Sequence, residues 1–295
     1  MNVLLLGAAG HLGSELRGAL GSVAHVTACD RSALDVTDAA AVESRLERAA
    51  PDVIVNAAAW TDVAGAEKNP AGASAVNTDA VERLGEAAKR RRIGLVHFST
   101  DFVFDGRQSR PYREEDEAAP LNVYGRTKLD GERRLTHADA PAVILRTAWV
   151  YGLTRPSFVS RVLRLAREEG PSLRVVTDQV GNPTFARDLA QAVACLIYGL
   201  RGAPFEGLRD ARGIYHLAGT GACSRHALAS AALELDPRRA EHRFTRIDEG
   251  RSETYESSVM RPADSSLDCR KAAERFGLAL PPWREALERA LRGSS

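Results

Sequence analysis

Short, nearly continuous apolar runs alternate along this chain with longer stretches in which apolar residues recur every three or four positions. MNVLLL (1–6), HVTACD (25–30), PDVIVNAAA (51–59), IGLVHFS (93–99) and LRTAWVYG (145–152) are of the first kind. Runs without polar alternation suit strands buried on both faces of a parallel sheet. Between them, Ser14 to Leu20, Ala39 to Ala50, and Ala71 to Arg90 with Val76, Ala80, Leu84 and Ala87 in phase, have helical spacing. Strand and helix in alternation predict an α/β fold, a Rossmann-type doubly wound parallel sheet.

Beyond Tyr151 the pattern changes, with Thr154-Arg155-Pro156 as a break. Ser157 to Glu169 reads as an amphipathic helix with Phe158, Val162, Leu165 and Ala166 as its apolar stripe. Asp178 to Thr184 is expected to be a loop, Ala186 to Leu200 a helix, residues 201–212 a polar linker and Ile214 to Ala218 a strand. Phe244 to Arg261, poor in apolar periodicity, is expected to be a loop, either covering a substrate or simply exposed. The expected division is a dinucleotide-binding domain over 1–150, to which the chain returns around 178–200, and a smaller C-terminal α/β substrate-binding lobe within 151–295.

The first strand stops at Gly7-Ala8-Ala9-Gly10-His11-Leu12-Gly13, and a helix follows at once. Glycines let backbone approach a pyrophosphate closely, and a helix N-terminus offers free N–H groups to phosphates. The second strand ends on Asp30, about twenty positions on, where a carboxylate can accept from an adenosine ribose hydroxyl. Asp30 favours NADH; Arg31 is either a holder of the 2′-phosphate of NADPH or a solvated loop charge. Both cofactors stay open. The small residues Ala57, Ala58 and Ala59, at the carboxyl end of the third strand, suit close passage beside a bound cofactor, although packing alone also explains them.

Tyr124 and Lys128 stand four residues apart in a helical stretch and share a face. A phenol is a poor acid near neutrality, and an ammonium one turn away is expected to lower its pKa so that it can protonate a carbonyl oxygen as hydride arrives. Lys128 also suits a nicotinamide ribose. Thr100, closing the strand before this helix, is placed to hydrogen-bond the same oxygen. Phe158 is either core or a platform for a thymine. A guanidinium at Arg261 suits a diphosphate, with a surface salt bridge as the alternative.

The 295 residues carry forty basic and thirty-nine acidic side chains, a formal charge of +1. That balance supplies no global field toward nucleic acid or an anionic membrane. The cysteines, Cys29, Cys195, Cys223 and Cys269, form no C-x-x-C pair, which argues against a zinc site or disulfide frame and for a reducing compartment; no metal site is read. No apolar run approaches the roughly 20 residues of a membrane span. A core strand beginning at residue 1 argues against a signal peptide, so a cytoplasmic location is expected.

The glycine spacing G-x-x-G-x-x-G resembles the extended, sugar-nucleotide branch of the short-chain dehydrogenase/reductase superfamily. The runs VNAAAWTDVAGAE, STDFVFDG, PLNVYGRTKLDGE, LRTAWVYG, TDQVGNPTFARDLA and RPADSSLD, in this order, are similar to the dTDP-4-dehydrorhamnose reductase family. The resemblance implies NAD(P)H-dependent reduction of the C4 ketone of a dTDP-linked 4-keto-6-deoxy sugar; a monomer or homodimer is expected, a choice the sequence leaves open. It implies a catalytic set of Thr100, Tyr124 and Lys128, and contact of Asp101 and Trp149 with the sugar. Gly7, Gly10, His11, Leu12, Asp30, Ala57, Ala58 and Ala59 are implied to line the cofactor, with Asp35 and Val36 near its adenine. Asn77 matches an asparagine that supports a proton relay in short-chain reductases; a polar helix residue is the other reading. The chain departs from the family at Phe102, Ala64-Gly65 and Ser157, each expected near the substrate pocket, which leaves the hydride chemistry intact and bears on the identity of the sugar.

Two other readings remain. A sugar-nucleotide dehydratase or epimerase uses the same scaffold, but a dehydratase needs a second acid after the threonine-aspartate pair, where this chain has Phe102. A non-catalytic NADP-binding regulatory subunit has no need of Thr100, Tyr124 and Lys128 together.

Overall fold

In the computed structural model, residues 1–168, 173–243, 246–254 and 259–293 are described. The first part runs β1 (Asn2–Leu6), α1 (His11–Gly21), β2 (His25–Cys29), α2 (Ala39–Ala49), β3 (Val53–Asn56), α3 (Val63–Lys68), α4 (Pro70–Ser74), α5 (Ala80–Arg91), β4 (Gly94–Thr100), α6 (Val123–His137), β5 (Ala142–Thr147) and β6 (Val150–Tyr151). There follow α7 (Phe158–Glu168), β7 (Leu173–Val176), β8 (Val180–Gly181), β9 (Thr184–Phe185), α8 (Ala186–Gly199), α9 (Pro204–Asp210), β10 (Gly213–His216), β11 (Cys223–Ser224), α10 (Arg225–Leu235), β12 (Ile247–Gly250), α11 (Arg270–Phe276) and α12 (Trp283–Arg292).

Six strands form one sheet in the order β10-β5-β4-β3-β1-β2, paired in parallel throughout. The reason the strands read as unbroken apolar runs is visible in β1: Val3 and Leu5 enter the core on one face with α1 and α8, while Leu4 and Leu6 enter the other with α2 and α5. Each such side chain, withdrawn from water, contributes roughly 1.5–3 kcal/mol. The order reverses between β1 and β3, and open α/β sheets bind ligands at such a switch point, beyond the strands' carboxyl ends.

Several elements differ from the sequence expectation. The stretch 201–212 contains α9, begun by Pro204 in its first turn, where a missing N–H costs nothing. The chain's return to the sheet reaches past residue 200, since β10 pairs with β5. The loop expected over 178–184 contains β8 and part of β9. In α7 the buried positions are Val159, Val162, Leu163 and Ala166, so Phe158 and Leu165 stand at the edge of the stripe; Glu169 lies outside the described residues. Of Phe244 to Arg261, residues 244, 245 and 255–258 lie outside them, and 247–250 pair with β7 as β12. The helix expected over 71–90 is interrupted by a π turn, Ala75–Asp79.

The lobe packs α7, α10 and α12 around Val159, Leu228 and Leu287. Trp149 joins both that cluster and the one around Phe104 and Tyr112 beside the sheet. No helix among the described residues is long and apolar enough to cross a membrane.

Candidate active site

A cleft of about 410 Å³ opens at the switch point, lined by Gly7, Ala9, Gly10, Asp30, Arg31, Leu34, Asp35, Val36, Ala57–Ala59, Trp60–Asp62 and Val76. Gly7 has φ +76°, and a Cβ there would lie 2.5 Å from the Ala58 nitrogen. Only glycine closes this turn without pushing β1 and β3 apart. Helix α1 begins at Gly10 with no side-chain cap and no acid in its first turn. The backbone N–H groups of His11, Leu12 and Gly13 therefore remain for an anion. Their side chains do other work: the His11 ring pairs with the Pro156 carbonyl at 3.0 Å, and Leu12 packs on the core.

Asp30 Oδ1 accepts from the Ser32 N–H and hydroxyl and from the Ala33 N–H, bonds that hold its carboxyl below the usual range. Asp35 Oδ1 accepts from Thr37 in the same way. Arg31 is 87% exposed at the rim and only 3.9 Å from Asp35, loosely enough held to swing onto a phosphate. The sequence missed Trp60, whose backbone N–H donates to Asn77 Oδ1 at 2.9 Å. Asn77 is fully buried in the π turn; its amide also donates to Thr127 Oγ1, which donates to the Tyr124 carbonyl. Asn77 thus braces the helix turn that carries Tyr124.

Thr100 closes β4, and Tyr124 and Lys128 lie in the opening turns of α6. The Asn122 side chain caps α6, accepting from the Gly125 N–H, and donates to the Met260 carbonyl. A Cβ on Gly125 would stand 2.2 Å from the Phe102 carbonyl oxygen; its absence lets α6 lie against the turn after β4. Tyr124 meets Phe102 edge-on, ring centroids 5.8 Å apart. The Thr100 hydroxyl donates to Asp101 Oδ1 at 3.1 Å, and Ser265 donates to Asp101 Oδ2 at 2.5 Å. Burial raises the Asp101 carboxyl to about 6 against the pull of these hydroxyls and of Arg225.

Lys128, buried, donates to the Phe98 carbonyl at 2.6 Å and stands 3.2 Å from His97. Burial lowers its pKa to about 8, opposed by Glu132, which forms a bidentate buried pair with Arg146. The expected depression of the Tyr124 pKa is not found. Burial pushes it up to about 12, opposed by a Thr100 hydrogen bond and reinforced by the Asp101 charge. Lys128 is turned to Phe98 and His97 instead of the phenol. Tyr124 therefore holds its proton firmly near neutrality.

Trp149 sits between β5 and β6 at φ +44°, a conformation strained for a bulky residue. Arg225 lies over its ring, Cζ 3.5 Å from the centroid, and 5.1 Å from that of Phe158. Sequence reasoning missed Arg225, which pairing of β11 with β8 brings beside these residues. Burial lowers its pKa to about 10, partly offset by Asp101, with Arg261 pressing the same way as burial. Arg261 is exposed, and no acid among the described residues pairs with it, so the salt-bridge alternative finds no support. Arg225 thus feels the charges of both Asp101 and Arg261. Among the described residues no group of three His, Cys, Asp or Glu side chains is placed to hold a metal ion.

The whole chain, residues 1–295, matches the family model described as the RmlD substrate binding domain. It is 37% identical over 289 residues to the dTDP-4-dehydrorhamnose reductase of Sinorhizobium fredii, covering 98% of this chain and 96% of that protein. The solved dTDP-4-dehydrorhamnose reductase of Clostridium acetobutylicum superposes with a TM-score of 0.89 at 30% identity, covering 100% of this chain and 99% of that one. The enzyme of that name from Bacillus anthracis, solved in complex with NADP, gives 0.87 at 29% identity and 99% coverage of both chains.

Proposed function

The chain belongs to the dTDP-4-dehydrorhamnose reductase family, and from that premise we propose that it reduces the C4 ketone of a dTDP-4-dehydro-6-deoxyhexose, dTDP-4-dehydro-L-rhamnose to dTDP-L-rhamnose, with NADPH or NADH. What supports this reading is that Thr100 closes β4 against α6, the helix that carries Tyr124 and Lys128, on the same sheet edge as a glycine-lined cleft. The lining of that cleft suits the cofactor: Gly7 and Ala57–Ala59 would leave room for its close approach, the first turn of α1 would hold its diphosphate, Asp30 and Arg31 its adenosine ribose, and Asp35 and Val36 its adenine. When bound, its nicotinamide supplies the hydride.

The chain does the rest. Tyr124, a phenol kept protonated by burial, gives its proton to the C4 oxygen as that oxygen gains charge, and the Thr100 hydroxyl steadies the same oxygen. Lys128 is assigned the nicotinamide ribose and, only while it is the ammonium, adds positive charge on the side of the phenolate. Asp101, Phe102 and Trp149 border the hexose, Phe158 the thymine, and Arg225 with Arg261 the diphosphate. The protein acts in the cytoplasm without nucleic acid or membrane partners, a reading that rests on its balanced charge and unpaired cysteines; it works as a monomer or homodimer.

The test is to incubate purified protein with dTDP-4-dehydro-L-rhamnose and NADPH or NADH and identify the product by NMR. Formation of dTDP-L-rhamnose is expected. The C4 epimer alone corrects the sugar stereochemistry, and no consumption of either nicotinamide rejects the reductase reading.

A further inference from the structure

Asn56 and His97 are register partners across β3 and β4, and both are buried. Asn56 Oδ1 accepts from the Ala58 N–H at 3.1 Å, and its Nδ2 stands 3.1 Å from His97 Nδ1. An amide nitrogen only donates, so Nδ1 is the acceptor and a neutral ring carries its one proton on Nε2. The ring is neutral, because burial, with the charge of Lys128, holds its pKa well below the ordinary value. The Nε2–H therefore faces Lys128 Nζ, 3.2 Å away. An ammonium has three donors and no lone pair; only an amine can accept. The amine still donates to the Phe98 carbonyl.

We propose that Asn56 and His97 are positioning residues for the catalytic lysine: by turning an N–H toward Lys128 Nζ they favour its amine and tie its proton to the strand end Asn56–Ala58 beside the cofactor cleft. The proposal rests on the reading of Lys128 as catalytic. Protonating Lys128 sets two donors face to face. Placing the ring proton on Nδ1 relieves that contact and opposes it to the Asn56 amide instead; turning the amide passes the conflict to the Ala58 N–H. Each arrangement leaves one donor unmatched, and the last of them borders the cleft.

The other charged groups beside Lys128 are Glu132 on its own helix and Arg146, from β5, paired with Glu132; Tyr124 lies one turn earlier on α6, and Asp101, at the end of β4, acts on Tyr124. Glu132 favours the ammonium. The His97 N–H and burial oppose it.

The ring proton can be read directly by NMR on protein carrying isotope-labelled histidine, the His97 signal being assigned by its loss in His97→Gln. At about pH 9, where Nζ is mainly the amine, the expected tautomer has Nε2 protonated and Nδ1 bare. A proton on Nδ1 in the wild type overturns the proposal. Asn56→Asp replaces the donor facing Nδ1 with an acceptor. It is expected to move the ring proton to Nδ1 and to shift the alkaline limb of kcat/KM, for NADPH and dTDP-4-dehydro-L-rhamnose, upward by about one pH unit or more. A moved ring proton with an unmoved limb also overturns it. If Asn56→Asp does not fold, the wild-type tautomer decides alone. Full turnover in Lys128→Met rejects the catalytic reading, and the proposal with it, while leaving the tautomer assignment standing.

Discussion

The guanidinium of Arg225 lies 3.5 Å from the ring centroid of Trp149, a flat cation on a flat ring at the point where the lobe meets the sheet. With no hydrogen-bonded carboxylate of its own among the described residues, it is available to an anionic ligand. Arg225→Ala is expected to raise KM for the dTDP-sugar by about 10- to 100-fold, the worth of one charged hydrogen bond, with little change in cofactor KM. Steady-state kinetics against each substrate separately checks this, and an unchanged sugar KM would assign Arg225 to packing alone.

Trp149 is half-buried and touches two core clusters, so its removal is expected to cost both stability and substrate fit. Trp149→Ala should unfold more easily by roughly 2 kcal/mol, less than a fully buried aromatic, and should lower kcat/KM for the sugar. Normal kcat/KM in the folded variant would make Trp149 a plug between sheet and lobe.

Asp101 carries a stability signature. Its folded pKa, about 6, lies above the roughly 3.9 of an unfolded chain. The folded state is therefore favoured below the unfolded value, and that advantage is lost as pH rises through about 6, on the order of 3 kcal/mol in all. Asp101→Asn is expected to remove this fall and to be more stable than wild type at neutral pH, while turning over more slowly. Denaturant titrations from acid to neutral pH provide the check; parallel pH profiles in the two proteins would contradict the buried-carboxylate account.

Lys128 has the opposite arrangement, a folded pKa of about 8 below the roughly 10.4 of a free lysine. Its burdened charge destabilises the fold at neutral pH, and stability recovers as pH rises from about 8 toward 10.4. Lys128→Met should lose that recovery and gain stability near neutrality, yet lose turnover by about 10²-fold or more and bind cofactor more weakly. Melting curves, kinetics and cofactor titration on one preparation separate the effects.

At the rim, Arg31→Ala is expected to raise KM for NADPH by about tenfold or more and to leave NADH nearly unchanged, since only the 2′-phosphate calls for the guanidinium. Equal losses for both would make Arg31 structural.

What the sequence disclosed and what it withheld follow from how far each signal reaches along the chain. The glycine turn, the buried strands and the Tyr124–Lys128 pair are local patterns: a turn needs φ +76° at Gly7, a two-sided strand needs unbroken apolar residues, and one helical turn needs a spacing of four. Pro204 was a legible start signal for α9, overlooked within a polar stretch. Arg225 was not legible in the same sense, because only the pairing of Ser224 with Val180 carries it to Trp149. Nor could Asn56 and His97, each inside its own apolar strand, be matched before the register of β3 and β4 was known. The Tyr124 pKa was misjudged because helical spacing gives proximity along the axis but not the direction in which Lys128 Nζ is drawn.

The central claim is that this chain protonates a sugar ketone through Tyr124 during reduction, and single-turnover reduction of dTDP-4-dehydro-L-rhamnose by NADPH in wild type and Tyr124→Phe tests it most directly. The account predicts a rate lower by about 10²–10⁴-fold in the variant, with cofactor affinity and melting temperature close to wild type. A Tyr124→Phe protein that reduces the sugar at the wild-type rate would contradict it.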